Sequence, residues 1–166
     1  MLTKSVAGVL ARDLGALRRE VEAYPDERQL WQAVPGLPNT GGTLVLHLAG
    51  NLRHFIGARL GGSGYVRDRE AEFARRDVPR AELLREIAEA ERALGALAKL
   101  DDAVLAADFP DAVGGSRVAN GDLLVQWAVH LAFHLGQLDY HRRVVTGRPE
   151  GVGAMAIREL ATARPA

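Results

Sequence analysis

Four segments of this chain space their apolar residues three and four apart, and the sequence between them is rich in Pro, Gly, Asp and Asn. Such a chain packs helices against helices. The first predicted helix runs from Lys4 to Tyr24, with Val6, Leu10, Leu14, Leu17, Val21 and Tyr24 on one stripe and Arg12, Arg18, Arg19 and Glu22 off it. Pro25 ends it. After a linker anchored by Trp31, Asn39-Thr40 offers side-chain oxygens to cap a second helix, which reaches about Leu60 and stops at Gly61, Gly62 and Gly64. A third begins near Val78-Pro79 and runs to about Leu100, burying Leu83, Leu84, Ile87, Ala90, Leu94 and Leu97. The fourth starts after Asn120 and runs to about Thr146, where Gly147 supplies a left-handed cap.

The expected fold is therefore all-α, a four-helix bundle with long crossover connections and one domain over residues 1–166. Residues Asp101 to Val118 are expected to form an ordered loop, with a short hairpin pairing Val104–Ala106 with Arg117–Ala119, and one more short helix is expected around Met155–Leu160.

Charge and composition remove several function classes. Lys and Arg total 21 and Asp and Glu 21, so a delocalised anionic partner such as nucleic acid or a membrane surface is not expected. With no cysteine, thiolate metal sites, iron–sulfur clusters and cysteine nucleophiles are excluded, and any metal must rest on His, Asp or Glu. The uncharged stretches Gln29–Leu52 and Leu123–Leu138 are interrupted or too short to span a bilayer. Met1 to Ala11 lacks the apolar run of a signal peptide, so a cytoplasmic location is the expectation.

The informative residues lie on the second and fourth helices. In the fourth, Leu123, Trp127, His130, His134, Gln137 and His141 form a heptad-like seam beside a purely apolar stripe of Leu124, Ala128, Leu131, Leu135 and Leu138. The second repeats the arrangement, with Leu44, His47, Asn51, His54 and Ala58 beside Val45, Leu48, Leu52 and Phe55. All five histidines of the chain fall on these two seams. His130 and His134 differ by about 40° around a helix and about 6 Å along it, close enough to converge on one ion. The third ligand must come from another helix, and His47, between Leu46 and Leu48, is the choice. His54 and His141 are about 10 Å further along their helices and by position read as partly exposed polar residues, whereas Asn51 and Gln137 read as hydrogen-bonding groups that orient the ligands or meet a substrate. The zincin pattern His-Glu-x-x-His is absent, as are Glu-x-x-His pairs and a nucleophile setting for Ser5, Ser63 or Ser116.

These residues also carry a resemblance. The run Asn39-Thr40-Gly41-Gly42-Thr43-Leu44-Val45-Leu46-His47-Leu48-Ala49-Gly50, preceded by Trp31 and followed by His130-x-x-x-His134-Leu135-Gly136-Gln137, resembles the DinB-like (damage-inducible) superfamily. The resemblance implies a bundle, often a homodimer, with one divalent metal held by His47, His130 and His134. It further implies a thiol S-transferase, in which a low-molecular-weight thiol binds the open metal position as thiolate. From the two polar seams, Asn51, His54, Gln137 and His141 are expected to line that site and contact substrate. Three neutral imidazoles leave the ion its full charge and suit zinc or nickel. Two other readings stand beside this one: a small-molecule hydrolase using metal-bound water, and a non-catalytic homodimer whose histidines are inert or hold a structural ion.

Overall fold

In the computed structural model, which describes residues 2–165, four long helices form a ring. They are α1 (Leu2–Glu22), α2 (Gly41–Leu52), α4 (Arg80–Ala93) and α6 (Asn120–Thr146), with α1 and α2 each packed against both α4 and α6. Two short helices sit in the connections, α3 (Arg69–Ala74) and α5 (Asp102–Ala106). No helix among the described residues is long and apolar enough to cross a membrane.

The stripe read for the first helix is the one α1 buries, from Val6 to Val21, with Tyr24 just beyond its end. Thr40 caps α2 as expected, its side chain accepting a hydrogen bond from the Thr43 amide. Every residue of α2 is buried, which is why the helix carries no charge. On one side the Trp31 ring lies so close that a Cβ on Gly42 would come within 2.4 Å of it, and the indole N–H donates to the Val78 carbonyl at 3.1 Å. Trp31 thus pins the linker to α2. Gly147 closes α6 in the left-handed region at φ 67°.

Several features differ from the expectation. The second helix continues to Leu60, but from Arg53 onward it widens into a π-helix. The third tightens into a 3-10 helix over Leu94–Lys99. The hairpin forms elsewhere: Val104–Ala106 belong to α5, capped by the Asp101 carboxylate on the Val104 amide, and the antiparallel bridges join Asp108 with Ala119 and Val113 with Ser116. The Asp101 cap and the Asn120 amide, which donates to the Val104 carbonyl, hold that segment helical.

Another difference concerns charge. Arg12, read as outward, is buried beside Asp13 at 2.8 Å, because the segment after α6 folds back over α1. Arg19 binds the Val152 carbonyl, Arg12 reaches the Met155 sulfur, and a Cβ on Gly8 would lie 3.7 Å from that of Ala161. The buried Arg142 anchors the segment's start, binding Glu20 of α1 at 2.5 Å and the Glu150 carbonyl at 2.8 Å. The short helix expected in this tail is a 3-10 turn over Ile157–Glu159.

Candidate metal centre

Helices α2 and α6 run antiparallel. The N-terminal Gly41 of α2 abuts His141, and Phe55, just past its end, stacks on Trp127 at 5.2 Å between ring centroids. The two polar seams therefore face each other in opposite order, and their residues meet different fates along the interface.

In the middle, His47, His130 and His134 converge, each with a ring nitrogen within 4.8 Å of the others'. His47 Nε2 and His130 Nε2 lie 3.2 Å apart. Two ligand nitrogens about 2.05 Å from a tetrahedral ion would stand about 3.3 Å apart, so this edge already has the dimension of a metal site. Burial, and then the neighbouring His134, His47 and Arg67, push the His130 imidazole down to about 4. Burial also holds His134 low, outweighing the opposing Gln137 hydrogen bond. Both rings are neutral at pH 7, the state in which an imidazole can bind a cation.

The outer nitrogens of two rings are held by partners of the kind that orient metal-binding histidines. His134 Nδ1 bonds the Gln137 side-chain oxygen at 2.7 Å. His47 Nδ1 bonds Glu72 Oε2 at 3.1 Å, and Arg67 grips both oxygens of that carboxylate, at 2.6 and 2.8 Å. Arg67 Nη2 also lies 3.3 Å from His47 Nδ1. With the proton on Nδ1 donated to Glu72, that guanidinium nitrogen bonds the carboxylate instead. Burial alone would raise the Glu72 carboxyl, but the hydrogen bonds from Arg67 and His47 hold it below its ordinary value. Glu72 is thus an ionised acceptor that fixes the His47 tautomer with Nε2 facing the triad.

Neither Glu72 nor Arg67 was expected from the sequence. The glycine-rich turn after Leu60, read as a stop, leads the chain back past α2 so that Arg67 and α3 reach His47. One signal was present: Gly50 sits inside a helix, one turn after His47, where glycine costs about 1 kcal/mol relative to alanine. A Cβ there would lie 2.1 Å from Glu72 Oε1.

Toward the C-terminal end of α2 lie Asn51 and His54. Asn51 is 7% exposed, and its Oδ1 and His54 Nδ1 are both buried without a hydrogen-bond partner. Asn51 lies one turn beyond His47, and His54 falls within the π-helix, an irregularity frequent at functional sites. At the opposite end His141 is buried with both ring nitrogens engaged, Nδ1 with the Tyr24 hydroxyl at 2.8 Å and Nε2 with the Gln32 carbonyl at 2.9 Å. A carbonyl only accepts, so Nε2 carries the proton and Nδ1 accepts from Tyr24. His141 ties α6 to the end of α1 and to the linker. Replacing Tyr24 by Phe strands Nδ1 and is expected to cost about 1–3 kcal/mol, read as a lower urea midpoint with an unchanged slope.

The depressed His130 value gives a signed pH dependence. In the unfolded chain His130 takes up its proton near its ordinary 6.5, in the metal-free fold only near 4. Its contribution is therefore complete above pH 6.5 and is lost as pH falls through that window. Urea midpoints of the metal-free protein should fall between pH 6.5 and 4.5 more steeply than those of His130→Leu. Equal slopes would show that His130 titrates normally.

Comparison with known proteins agrees with this geometry. No curated protein matches the chain. The sequence signature of the DinB superfamily, however, matches residues 10–138, well over half of the chain and a span that includes α2, Glu72, His130 and His134. An all-helical bundle that brings three histidines of α2 and α6 together within a matched span of this length places the chain in a family, and that family is the DinB superfamily.

Proposed function

We propose that this protein is a metal-dependent thiol S-transferase, with His47, His130 and His134 holding one zinc or nickel ion. The observation that carries the reading is the convergence of three imidazoles, two of them steered from behind by Glu72 and Gln137. An ion held by three neutral ligands keeps its full +2 charge and lowers the pKa of a thiol at its free position. The residues of the chain do the rest. Glu72 keeps His47 Nε2 turned inward, and Gln137 does the same for His134.

One observation weighs against the hydrolytic alternative. Activating water calls for a free general base, and the carboxylate at the triad, Glu72, is occupied by Arg67 and His47 and held below its ordinary pKa. The test incubates zinc- or nickel-loaded protein with a panel of low-molecular-weight thiols and an activated aryl chloride, following thiol consumption. Conjugation that requires metal and vanishes in His130→Ala is expected. Ester hydrolysis at one rate with and without thiol would transfer the assignment to the hydrolase. No turnover, with a full complement of tightly held metal, would leave the structural-ion reading.

A further inference from the structure

Beyond the triad, toward the N-terminus of α2, the surface beside the α2–α6 seam is mostly apolar. Leu44 precedes His47 by one turn and Gln137 follows His134 by one turn, and both line a cleft of about 420 Å³ whose other walls include Asn39, Phe133, Gly136 and Tyr140. No charged side chain lines it. A recess of a few hundred Å³, mostly apolar with a few placed polar groups, has the makeup of a small-molecule site.

Phe133 and Tyr140 are 63% and 70% exposed, unusual for large aromatics. They are seven residues apart on one face of α6, about 10 Å along the axis. A flat ring in contact with an aromatic on each side needs about 7 Å, twice a carbon–carbon contact of about 3.5 Å. Between them lies Gly136, where a Cβ would meet nothing within 4 Å, so the floor of the slot is open. Gln137 joins this slot to the triad. Its oxygen is taken by His134 Nδ1 at 2.7 Å, which leaves the amide N–H groups as donors beside the cleft.

The geometry points to a subsite for an uncharged, flat, apolar substrate carrying a carbonyl-type acceptor. Its ring lies between Phe133 and Tyr140 over Gly136, and its acceptor oxygen receives the Gln137 amide. The substrate role rests on the S-transferase reading above; binding itself needs only the cleft. A charged ligand has no counter-ion here, and its desolvation would go uncompensated.

The probe is Prodan, an uncharged naphthyl ketone whose emission shifts to the blue on leaving water, titrated into the zinc-loaded protein. Saturable blue-shifted emission with Kd on the order of 0.1 mM or tighter is expected for a ligand of this size. Acetophenone should displace it at least about tenfold better than benzoate, which has the same ring and a charge. Gly136→Leu, which fills the slot with a better helix former, and Tyr140→Ala, at an exposed position, should each weaken binding about tenfold or more while metal content stays unchanged. His130→Ala should lose metal and still bind Prodan.

Absence of binding, or equal binding by both cleft variants, overturns the subsite and leaves the metal reading standing. Retained Prodan binding in a protein that takes up no metal overturns the metal reading and leaves the subsite. Val125, Val129 and Val144 are also exposed on α6. A dimer that excludes Prodan and dissociates in Tyr140→Ala would assign this face to a second copy of the chain and overturn the proposal.

Discussion

Purified protein loaded with zinc or nickel should hold about one equivalent of metal, and His47→Ala, His130→Ala and His134→Ala should each lose it. Loss of a residue that merely orients a metal ligand typically costs 10- to 100-fold in affinity, so deleting a ligand itself should cost more than about 100-fold. That is enough to strip the ion during gel filtration and to read as zero by elemental analysis. Stability supplies a second readout. An ion that binds only the folded chain stabilises it by about 2.7 kcal/mol at a hundred times its Kd. For a chain of this size that is roughly 5 to 10 °C in Tm. Wild type should show this shift on adding zinc, and the three variants should not. The rival account, in which the histidines satisfy one another, makes opposite forecasts. His47 Nε2 and His130 Nε2 then share one proton across their 3.2 Å contact. His130→Ala would strand His47 at a cost of about 1–3 kcal/mol, and zinc would shift no melting curve.

Much of this site was legible in the sequence, for a physical reason. A histidine on the core stripe of a helix must find a partner, so polar seams on two helices imply that the seams meet. That logic picked His47, His130 and His134 out of five histidines. It could not tell that His141, on the same seam, is spent on Tyr24 and Gln32, because those partners come from the end of α1 and the linker. Glu72 leaves no such signal, because a carboxylate on a six-residue helix behind a glycine-rich turn looks like any surface acid until the turn is folded. The burial of Arg12 is hidden for a similar reason: the segment that covers it is fixed by hydrogen bonds to carbonyls such as those of Glu150 and Val152, and backbone acceptors leave no side-chain pattern. The hairpin shifted because capping, a local effect, kept Val104 to Ala106 helical. Periodicity reports what a helix buries. It does not report which loop comes back to cover the other side.

Gly50→Ala should weaken metal binding by about 10- to 100-fold without touching a ligand. Helix propensity alone forecasts the opposite of harm, a gain of about 1 kcal/mol. Against it stands a Cβ placed 2.1 Å from Glu72 Oε1 and 2.8 Å from its carboxyl carbon. The carboxylate cannot step aside cheaply, because Arg67 holds both oxygens and His47 Nδ1 one of them. Arg67 and Glu72 are 11% and 6% exposed at their side chains, and parting such a pair typically costs 3–5 kcal/mol. Steric displacement should therefore win, and stability should fall where propensity says it should rise. The double variant Gly50→Ala/Glu72→Ala separates the causes. With the carboxylate removed, the new methyl group has room, so the double variant should be no worse than Glu72→Ala in either metal affinity or stability. If Gly50→Ala instead binds metal as tightly as wild type and melts higher, Glu72 does not hold His47 in place. The outward nitrogen of His47 would then be free to rotate, and the inward one would be aimed by the packing of α2 alone.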